Sequence, residues 1–224
     1  MHSEKGKFIA AVTIPGILLI LMWLLKVAET IIGFSTVKYG IHPLHLDGLQ
    51  GIVLAPLIHS GFKHLAANSL AFVVLGTGLF YFYRQIALKS FIAIWILSGI
   101  WVWFGGRDSY HIGASGVIYG MAAFLFVSGL IRKDTGLAAL TLIVTFLYGS
   151  LIWGAIPGFL PDKQISWEAH LGGMVSGIIM AVYYRKSGPE RKKYQWEIEE
   201  ELEQQREKEY LNSNFDYWNN SNNT

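Results

Sequence analysis

Uncharged, mostly apolar stretches follow one another along the first 186 residues of the chain, separated by short polar intervals. Six of them contain between 16 and 26 residues: 8–25, 64–83, 90–106, 112–131, 136–161 and 169–184. They are apolar all round rather than along one stripe of helical period, which is typical of helices surrounded by lipid. Because about 20 apolar residues cross a bilayer core of about 30 Å, the pattern predicts an all-α, polytopic membrane helix bundle with six transmembrane helices.

Composition agrees with a membrane protein and disfavours several other classes. Hydrophobic residues make up 52% of the 224 residues, charged residues only 15%, and there is no cysteine. An ordinary soluble domain carries about 25% charged residues. A soluble domain, a disordered chain, a disulfide-stapled module and a cysteine-ligated metal protein therefore fit poorly. The net charge of +2 gives no sign of nucleic acid as a partner.

Charge is concentrated at the end of the chain. Residues 187–224 hold nine of the 16 acidic residues, most of them glutamate. We therefore predict a membrane domain over residues 1–186 and a Glu-rich cytoplasmic tail over residues 187–224, helical over 194–210 and disordered after 212. A solubilising role is favoured for this tail over a role in binding a partner.

The basic residues that flank the stretches predict the orientation, because such residues are enriched in cytoplasmic loops. With both termini in the cytoplasm, the inner side receives Lys5, Lys7, Arg84, Lys89, Arg132, Lys133, Arg185 and Lys186. The outer side receives Lys26, Lys38, Lys63, Arg107 and Lys163. The first stretch lacks a signal-peptide cleavage site and is interpreted as a mature helix. The interval 33–60 then lies outside, and its length predicts a partly ordered, functional loop.

Polar residues within the predicted spans are informative, since they are costly in lipid and are retained mainly for function. His64 and Asn68 are four residues apart and share one helical face. Ser115 lies among glycines at the start of the fourth stretch, and His170 lies at the start of the sixth. The predicted topology puts all four groups at outer helix ends, where they can converge on one site.

A serine and a histidine in one site indicate hydrolysis by nucleophilic attack. Ser115 would attack a carbonyl carbon, and His170 would take the hydroxyl proton and return it to the leaving amine. His64, Asn68 and the backbone N–H of Ser115 are candidate donors to the oxyanion. Because the spans hold no carboxylate to orient His170, we predict a Ser–His dyad with Tyr119 as a supporting ring.

Small residues in the same segments allow a purely structural interpretation. Gly113, Gly116 and Gly120 on the fourth stretch match Gly173 and Gly177 on the sixth. Such edges let two helices approach closely without any catalytic role. Close approach is also what the dyad needs, since proton transfer requires about 2.6–3.2 Å between the two side chains.

Together these residues resemble the motifs of the rhomboid intramembrane serine proteases. The matching motifs are His59…His64-x-x-x-Asn68, Gly113-Ala114-Ser115-Gly116 with Tyr119, and Ala169-His170-x-x-Gly173-x-x-x-Gly177. The resemblance covers about residues 8–186. The Trp-Arg pair found in the first loop of many relatives is missing from 33–60, so the shape of that loop is not carried over.

The resemblance implies a compact six-helix bundle of the bacterial type with a water-filled cavity open to the outside. It implies a role for each matching residue: the catalytic dyad Ser115 and His170, the oxyanion donors His64 and Asn68, a packing ring at Tyr119, and a support of the first loop at His59.

The resemblance also implies the substrate and the location. Rhomboid proteases cut single-span membrane proteins near the extracytoplasmic end of the helix, preferring small residues and a helix that unwinds easily. We therefore expect transmembrane protein substrates and the lipid bilayer as partners, and no cofactor, metal or nucleic acid. The expected location is a bacterial cytoplasmic (inner) membrane with the site open to the extracytoplasmic side. Movement of loop 33–60 or of the fifth stretch is expected to admit the substrate.

Three other classes match the sequence less well. A non-catalytic rhomboid-like protein that binds or escorts membrane helices is the main alternative, but such relatives usually lack the serine or the histidine. A metal site built from His59, His64, His111 and His170 lacks an HExxH pair or a carboxylate at helical spacing within the spans. A transporter needs discontinuous helices and charged residues near the midplane, which the predicted spans do not contain.

Overall fold

The computed structural model describes residues 4–134, 136–139, 141–142, 166–187 and 193–221. Regular secondary structure in this part of the chain is helical throughout. Its one pairing of extended backbone is an isolated bridge between Ile41 and His111. The all-helical fold that the sequence predicts is therefore confirmed.

Helices form most of the described part of the predicted membrane domain. In chain order the helices are α1 (Glu4–Ile32), α2 (Gly51–Leu54), α3 (Phe62–Phe82), α4 (Ala87–Gly105), α5 (Ser115–Ile131) and α6 (Trp167–Tyr183). Helices α1, α3 and α4 are long and apolar enough to cross a membrane, and α5 is a shorter apolar helix. Of the fifth predicted span, residues 136–139 and 141–142 are helical, and residues 143–161 lie outside the described residues. The count of six spans stays a prediction.

Helix α5 lies at the centre of the bundle. Eleven of its 17 residues are buried, against four of the 29 residues of α1. Helices α3, α4 and α6 pack around it, with a core that includes Phe72, Ile94 and Phe124. Burial on all sides explains why the sequence of α5 is apolar all round, whereas α1 exposes large apolar side chains such as Ile20 and Leu24.

The loop between α1 and α3 is partly ordered, as predicted. Short 3₁₀ turns flank α2 at Val37–Tyr39, Leu46–Gly48 and Ala55–Leu57. Ile41 and His111 exchange two backbone hydrogen bonds, of 2.9 and 2.8 Å. These bonds attach the loop to the segment that leads into α5.

The acidic tail contains α7 (Gln195–Ser221), which belongs to a second compact unit, Glu190–Thr224, separate from Met1–Pro189. Lys193 Nζ pairs with the Glu201 carboxylate at 2.6 Å. The helix extends to Ser221, past the predicted end at 210, so the Asn-rich residues up to this point are helical where the sequence predicts disorder. Extending a helix is far easier than starting one, which accounts for the difference.

Candidate active site

The hydroxyl of Ser115 and the imidazole of His170 lie within hydrogen-bond distance. His170 Nε2 is 2.9 Å from Ser115 Oγ, although the residues are 55 positions apart in the chain. Ser115 is the first residue of α5, and His170 is in the first turn of α6. His170 is buried and Ser115 is half-buried. At this distance an imidazole can take the proton of an attacking hydroxyl.

Glycine contacts between α5 and α6 set this distance. A Cβ atom on Gly173 would lie 1.9 Å from the carbonyl oxygen of Gly116, and one on Gly177 would lie 2.0 Å from that of Gly120. Cβ atoms do not approach other atoms so closely, so only glycine fits at positions 173 and 177. The two backbones touch directly, and the close approach predicted from the small-residue edges is confirmed.

The ring of Tyr119 packs against His170. Tyr119 follows Ser115 by four residues and is on the same face of α5. Its ring is parallel to the imidazole, with centroids 4.1 Å apart and an interplanar angle of 9°. The carboxylate of Glu168 makes other contacts: Oε1 lies 3.5 Å from Arg107 Nε, and Oε2 accepts a hydrogen bond from the Ser166 hydroxyl at 3.2 Å. Stacking on Tyr119 therefore restricts the orientation of His170.

A tight turn at Gly113 forms one side of the site. Its φ of +110° lies in the left-handed region that favours glycine, and its N–H donates to Ala55 O at 2.9 Å. A Cβ atom at this position would lie 2.8 and 3.0 Å from His64 Cε1 and Nε2, and 3.8 Å from Asn68 Nδ2. Both side chains predicted to bind the oxyanion therefore face the turn just before Ser115.

The candidate oxyanion donors differ in their present hydrogen bonds. Asn68 Nδ2 is buried and has no hydrogen-bond partner among the described residues. His64 Nδ1 lies 3.1 Å from Ser60 Oγ. When this hydroxyl donates, the ring proton is on Nε2, the nitrogen near Gly113. The N–H of Ser115 is in the first turn of α5, where helical N–H groups have no acceptor within the helix.

His59 supports the same turn from the end of the first loop. The ring is buried, and its Nε2 accepts a long hydrogen bond of 3.5 Å from the Ala114 N–H. It meets the His64 ring edge to face, with centroids 5.1 Å apart. Burial lowers the pKa of His59 to about 3, and the nearby His64 adds to the effect. His59 is therefore neutral at ordinary pH, as acceptance of a backbone N–H requires.

Sequence reasoning missed a polar network at the start of α6. His111 Nδ1 lies 2.7 Å from Ser166 Oγ, and His111 Nε2 lies 2.9 Å from Arg107 O. Ser166 caps α6, because its Oγ accepts the Ala169 N–H at 3.1 Å. The cap thus fixes the turn that carries His170. A serine before a helix is a recognisable N-cap signal, whereas its pairing with a residue 55 positions away leaves no local signal.

A partly buried ion pair in α1 is connected to the His64 side of the site. Lys26 Nζ lies 3.0 Å from Glu29 Oε2 and donates to Ser60 O at 3.2 Å. Glu29 Oε1 accepts the Thr36 N–H at 3.0 Å. The pair therefore ties α1 to both ends of the first loop, and Ser60 in turn contacts His64.

The side chains best placed to bind a metal ion do not include Ser115 or His170. Among the described residues, one group of histidine and carboxylate side chains has converging ligand atoms, and it consists of His42, His45 and Asp108. The histidines at positions 59, 64, 111 and 170 do not form such a group there.

The described part of the chain is helical, and three of its apolar helices are long enough to cross a membrane. These features define an integral membrane protein, in which a serine and a histidine pair where two helices begin. Comparison with models of protein families gives the family. The model of the Rhomboid domain matches residues 47–187, more than half of the chain. The chain belongs to the rhomboid family, and the resemblance seen in the sequence is confirmed.

Several proteins are similar to this chain. An uncharacterized protein of Mycobacterium tuberculosis is 37% identical over 182 residues, which cover 77% of this chain and 73% of the relative. A putative rhomboid protease of Bacillus subtilis is 28% identical, with 56% of this chain and 62% of the relative covered. Rhomboid-type serine protease 2 of Emericella nidulans is 25% identical, with 60% and 27% covered. Among these three, the protease names belong to the relatives of lower identity.

Proposed function

We propose that the protein is an intramembrane serine endopeptidase that hydrolyses peptide bonds in or near transmembrane helices with a Ser115–His170 dyad. The observation that carries the proposal is the 2.9 Å separation of His170 Nε2 and Ser115 Oγ. Membership of the rhomboid family, with relatives named as proteases, supports it.

The proposed reaction follows the geometry of the site. Ser115 Oγ attacks the carbonyl carbon while His170 Nε2 takes the hydroxyl proton. The side chains of His64 and Asn68, together with the Ser115 N–H, stabilise the oxyanion. The C–N bond then breaks, the imidazolium protonates the leaving amine, and an acyl ester remains on Ser115. Water, deprotonated by His170, hydrolyses this ester and restores the serine.

A transmembrane helix is the proposed substrate because of where the site lies. A carbonyl group inside an intact helix is hydrogen-bonded and shielded, so its hydrolysis requires local unwinding and water. A polar site at the ends of buried helices can hold an unwound segment and admit water. A pocket beside Gly113 and Gly116, on either side of Ser115 in the sequence, is lined mostly by apolar residues, including Val102 and Ala169. We propose that an apolar side chain next to the scissile bond occupies it.

The proposal includes a topology and a location. Six transmembrane helices with both termini in the cytoplasm put the Ser115 end of the bundle on the extracytoplasmic side of a bacterial inner membrane. Residues 1–186 form the protease domain and residues 187–224 a cytoplasmic tail. The distribution of basic residues between the two sides supports this arrangement.

The test is labelling with a fluorophosphonate probe together with cleavage of a model transmembrane substrate in detergent. Wild-type protein is expected to react at Ser115 and to cleave. Ser115→Ala is expected to lose both activities, and His170→Ala to lose at least about 10³-fold in rate. Ser176→Ala is the matched control and is expected to behave as wild type, because this hydroxyl donates to Gly172 O of its own helix at 2.7 Å and has no other bond to a described residue.

Two outcomes would overturn the proposal. One is cleavage by Ser115→Ala at the wild-type rate. The other is wild-type protein that binds the model helix but neither reacts with the probe nor cleaves, which would favour the non-catalytic binding or escort function.

A further inference from the structure

A second group of polar side chains lies outside the catalytic pair, where the first loop meets the segment before α5. Asp108 Oδ1 is 2.8 Å from His42 Nε2 and 3.9 Å from His45 Nε2. The two imidazole rings are stacked, with centroids 3.9 Å apart and planes within 6°. One nitrogen of each histidine and one carboxylate oxygen thus lie within 4.8 Å of one another.

The backbone holds both histidines in place. Leu44, between them, has a φ of 61°, a left-handed conformation that is uncommon for a bulky residue. Its N–H donates to Trp103 O at 3.0 Å, and the His45 N–H donates to His42 O at 3.2 Å. The resulting turn presents the two rings side by side, and the Tyr110 ring packs on His42 at 4.7 Å. A backbone ordered in advance lowers the cost of binding a ligand, and the His45 side chain is left to turn toward it.

The chemistry of the three side chains suits a transition metal. Two imidazoles and one carboxylate form a donor set that Zn²⁺ and neighbouring divalent ions accept, with open positions for water. The Asp108 side chain is 85% exposed, so solvent and ions reach the group. Among the described residues, the ion-pair partners of Asp108 are these two histidines, whereas the adjacent Arg107 pairs with Glu168. A divalent cation would supply positive charge for this carboxylate.

We propose that His42, His45 and Asp108 bind one divalent transition-metal ion, with Zn²⁺ as the probe. The exposed His45 ring turns to bring its Nε2 to the metal distance of about 2.1 Å. The ion takes no part in peptide hydrolysis. It joins the first loop to the segment that leads into Ser115, and so adds a metal partner that the sequence does not predict.

The test is zinc binding to the full chain, purified in detergent without a polyhistidine tag and competed with a chromophoric chelator. One zinc ion per chain is expected, with affinity reduced at least about tenfold in His45→Gln and in Asp108→Asn. Asp47→Asn removes an exposed carboxylate of the same loop outside the group, and this control is expected to bind as wild type. Because the ion binds the folded state, zinc is expected to raise the Tm of wild type and control, and to raise that of Asp108→Asn less at the same zinc concentration.

Cobalt gives an independent measurement, since bound Co²⁺ absorbs visible light according to its ligands. Wild-type protein is expected to show these bands, and the double variant His45→Gln/Asp108→Asn to lack them. Equal zinc affinity in wild type and double variant, or wild-type protein without cobalt bands, would overturn the proposal and leave an ordinary histidine–carboxylate ion pair.

Discussion

Asn68 presents a buried donor nitrogen to the turn before Ser115, and this nitrogen has no hydrogen-bond partner among the described residues. An unsatisfied buried donor costs about 1–3 kcal/mol. A bound carbonyl oxygen next to Gly113 would accept this hydrogen bond, and it would do so more strongly once it carries negative charge. In the proposed reaction the hydrogen bond of this nitrogen would therefore stabilise the transition state more than the resting protein.

Replacing an oxyanion donor is expected to affect the rate more than the binding of substrate. In Asn68→Ala and in His64→Ala we expect kcat to fall about 10²- to 10³-fold with little change in KM. Michaelis parameters for a model transmembrane substrate provide the measurement. The Tm of Asn68→Ala is expected to hold or rise, because an unsatisfied donor is removed.

Ser69→Ala is the control for this pair, because the neighbouring Ser69 hydroxyl bonds Leu65 O and the Trp23 indole instead. An unchanged kcat in Asn68→Ala and His64→Ala would remove both side chains from the proposed oxyanion role.

At the scale of elements, the contact between α5 and α6 has no room for a side chain. A methyl group on Gly173 would meet the Gly116 carbonyl, so we expect Gly173→Ala to cost at least about 2 kcal/mol of stability and to abolish cleavage. Gly173→Val is expected to be worse. Gly78→Ala on α3 is the control, since its methyl group would make an ordinary 3.5 Å contact with Leu125. An active Gly173→Val variant would contradict direct backbone packing.

Removing the N-cap of α6 is a milder change than adding a side chain at Gly173. Ser166→Ala removes the acceptor for the Ala169 N–H and is expected to cost about 1 kcal/mol. It is also expected to lower kcat, because the first turn of α6 carries His170. Ser166→Thr keeps the hydroxyl and is expected to restore both. Thermal unfolding and cleavage rates check this, and a wild-type rate in Ser166→Ala would show that the cap does not position the histidine.

Contacts along one helix, and contacts between two helices that carry small residues, could be predicted from the sequence, whereas contacts between loops could not. Ser115 with Tyr119 follows from helical spacing, and the glycine contacts follow from small residues on two helices. Helix α7 is longer than predicted because composition says little about where a helix ends. The pairs His111–Ser166 and His42–Asp108 join segments 55 and 66 positions apart. The spacing of residues along the sequence does not indicate which two loops will be in contact.

For the whole molecule, buried histidines make stability depend on pH. Burial lowers the pKa of His59 to about 3 and lowers the pKa of His111 from its ordinary value. Both histidines have a pKa of about 6.5 when unfolded, so below that pH the unfolded state binds more protons. The stability that these two histidines contribute is therefore fully present above about pH 6.5. On acidification the free energy of unfolding decreases by up to about 1.4 kcal/mol per pH unit for each histidine.

The Tm measured in detergent between about pH 8 and pH 4.5 checks this dependence. We expect it to fall below about pH 6.5, and to fall less steeply in His111→Gln, which removes one of the two groups. A Tm that rises on acidification would contradict the assignment.

The main-chain contact between Gly116 and Gly173 keeps the distance between Ser115 and His170 independent of the thickness of the surrounding bilayer. Outer helices tilt to match a thinner or thicker hydrocarbon layer, and α1, which is exposed along most of its length and packs chiefly on α3, is the helix that such a change reaches first. The distance between Ser115 and His170 is set by the direct contact of the α5 and α6 backbones and is expected not to change with that tilt. For the proposed protease, lipid composition should therefore affect how the substrate reaches the site and leave the rate of peptide-bond cleavage nearly constant.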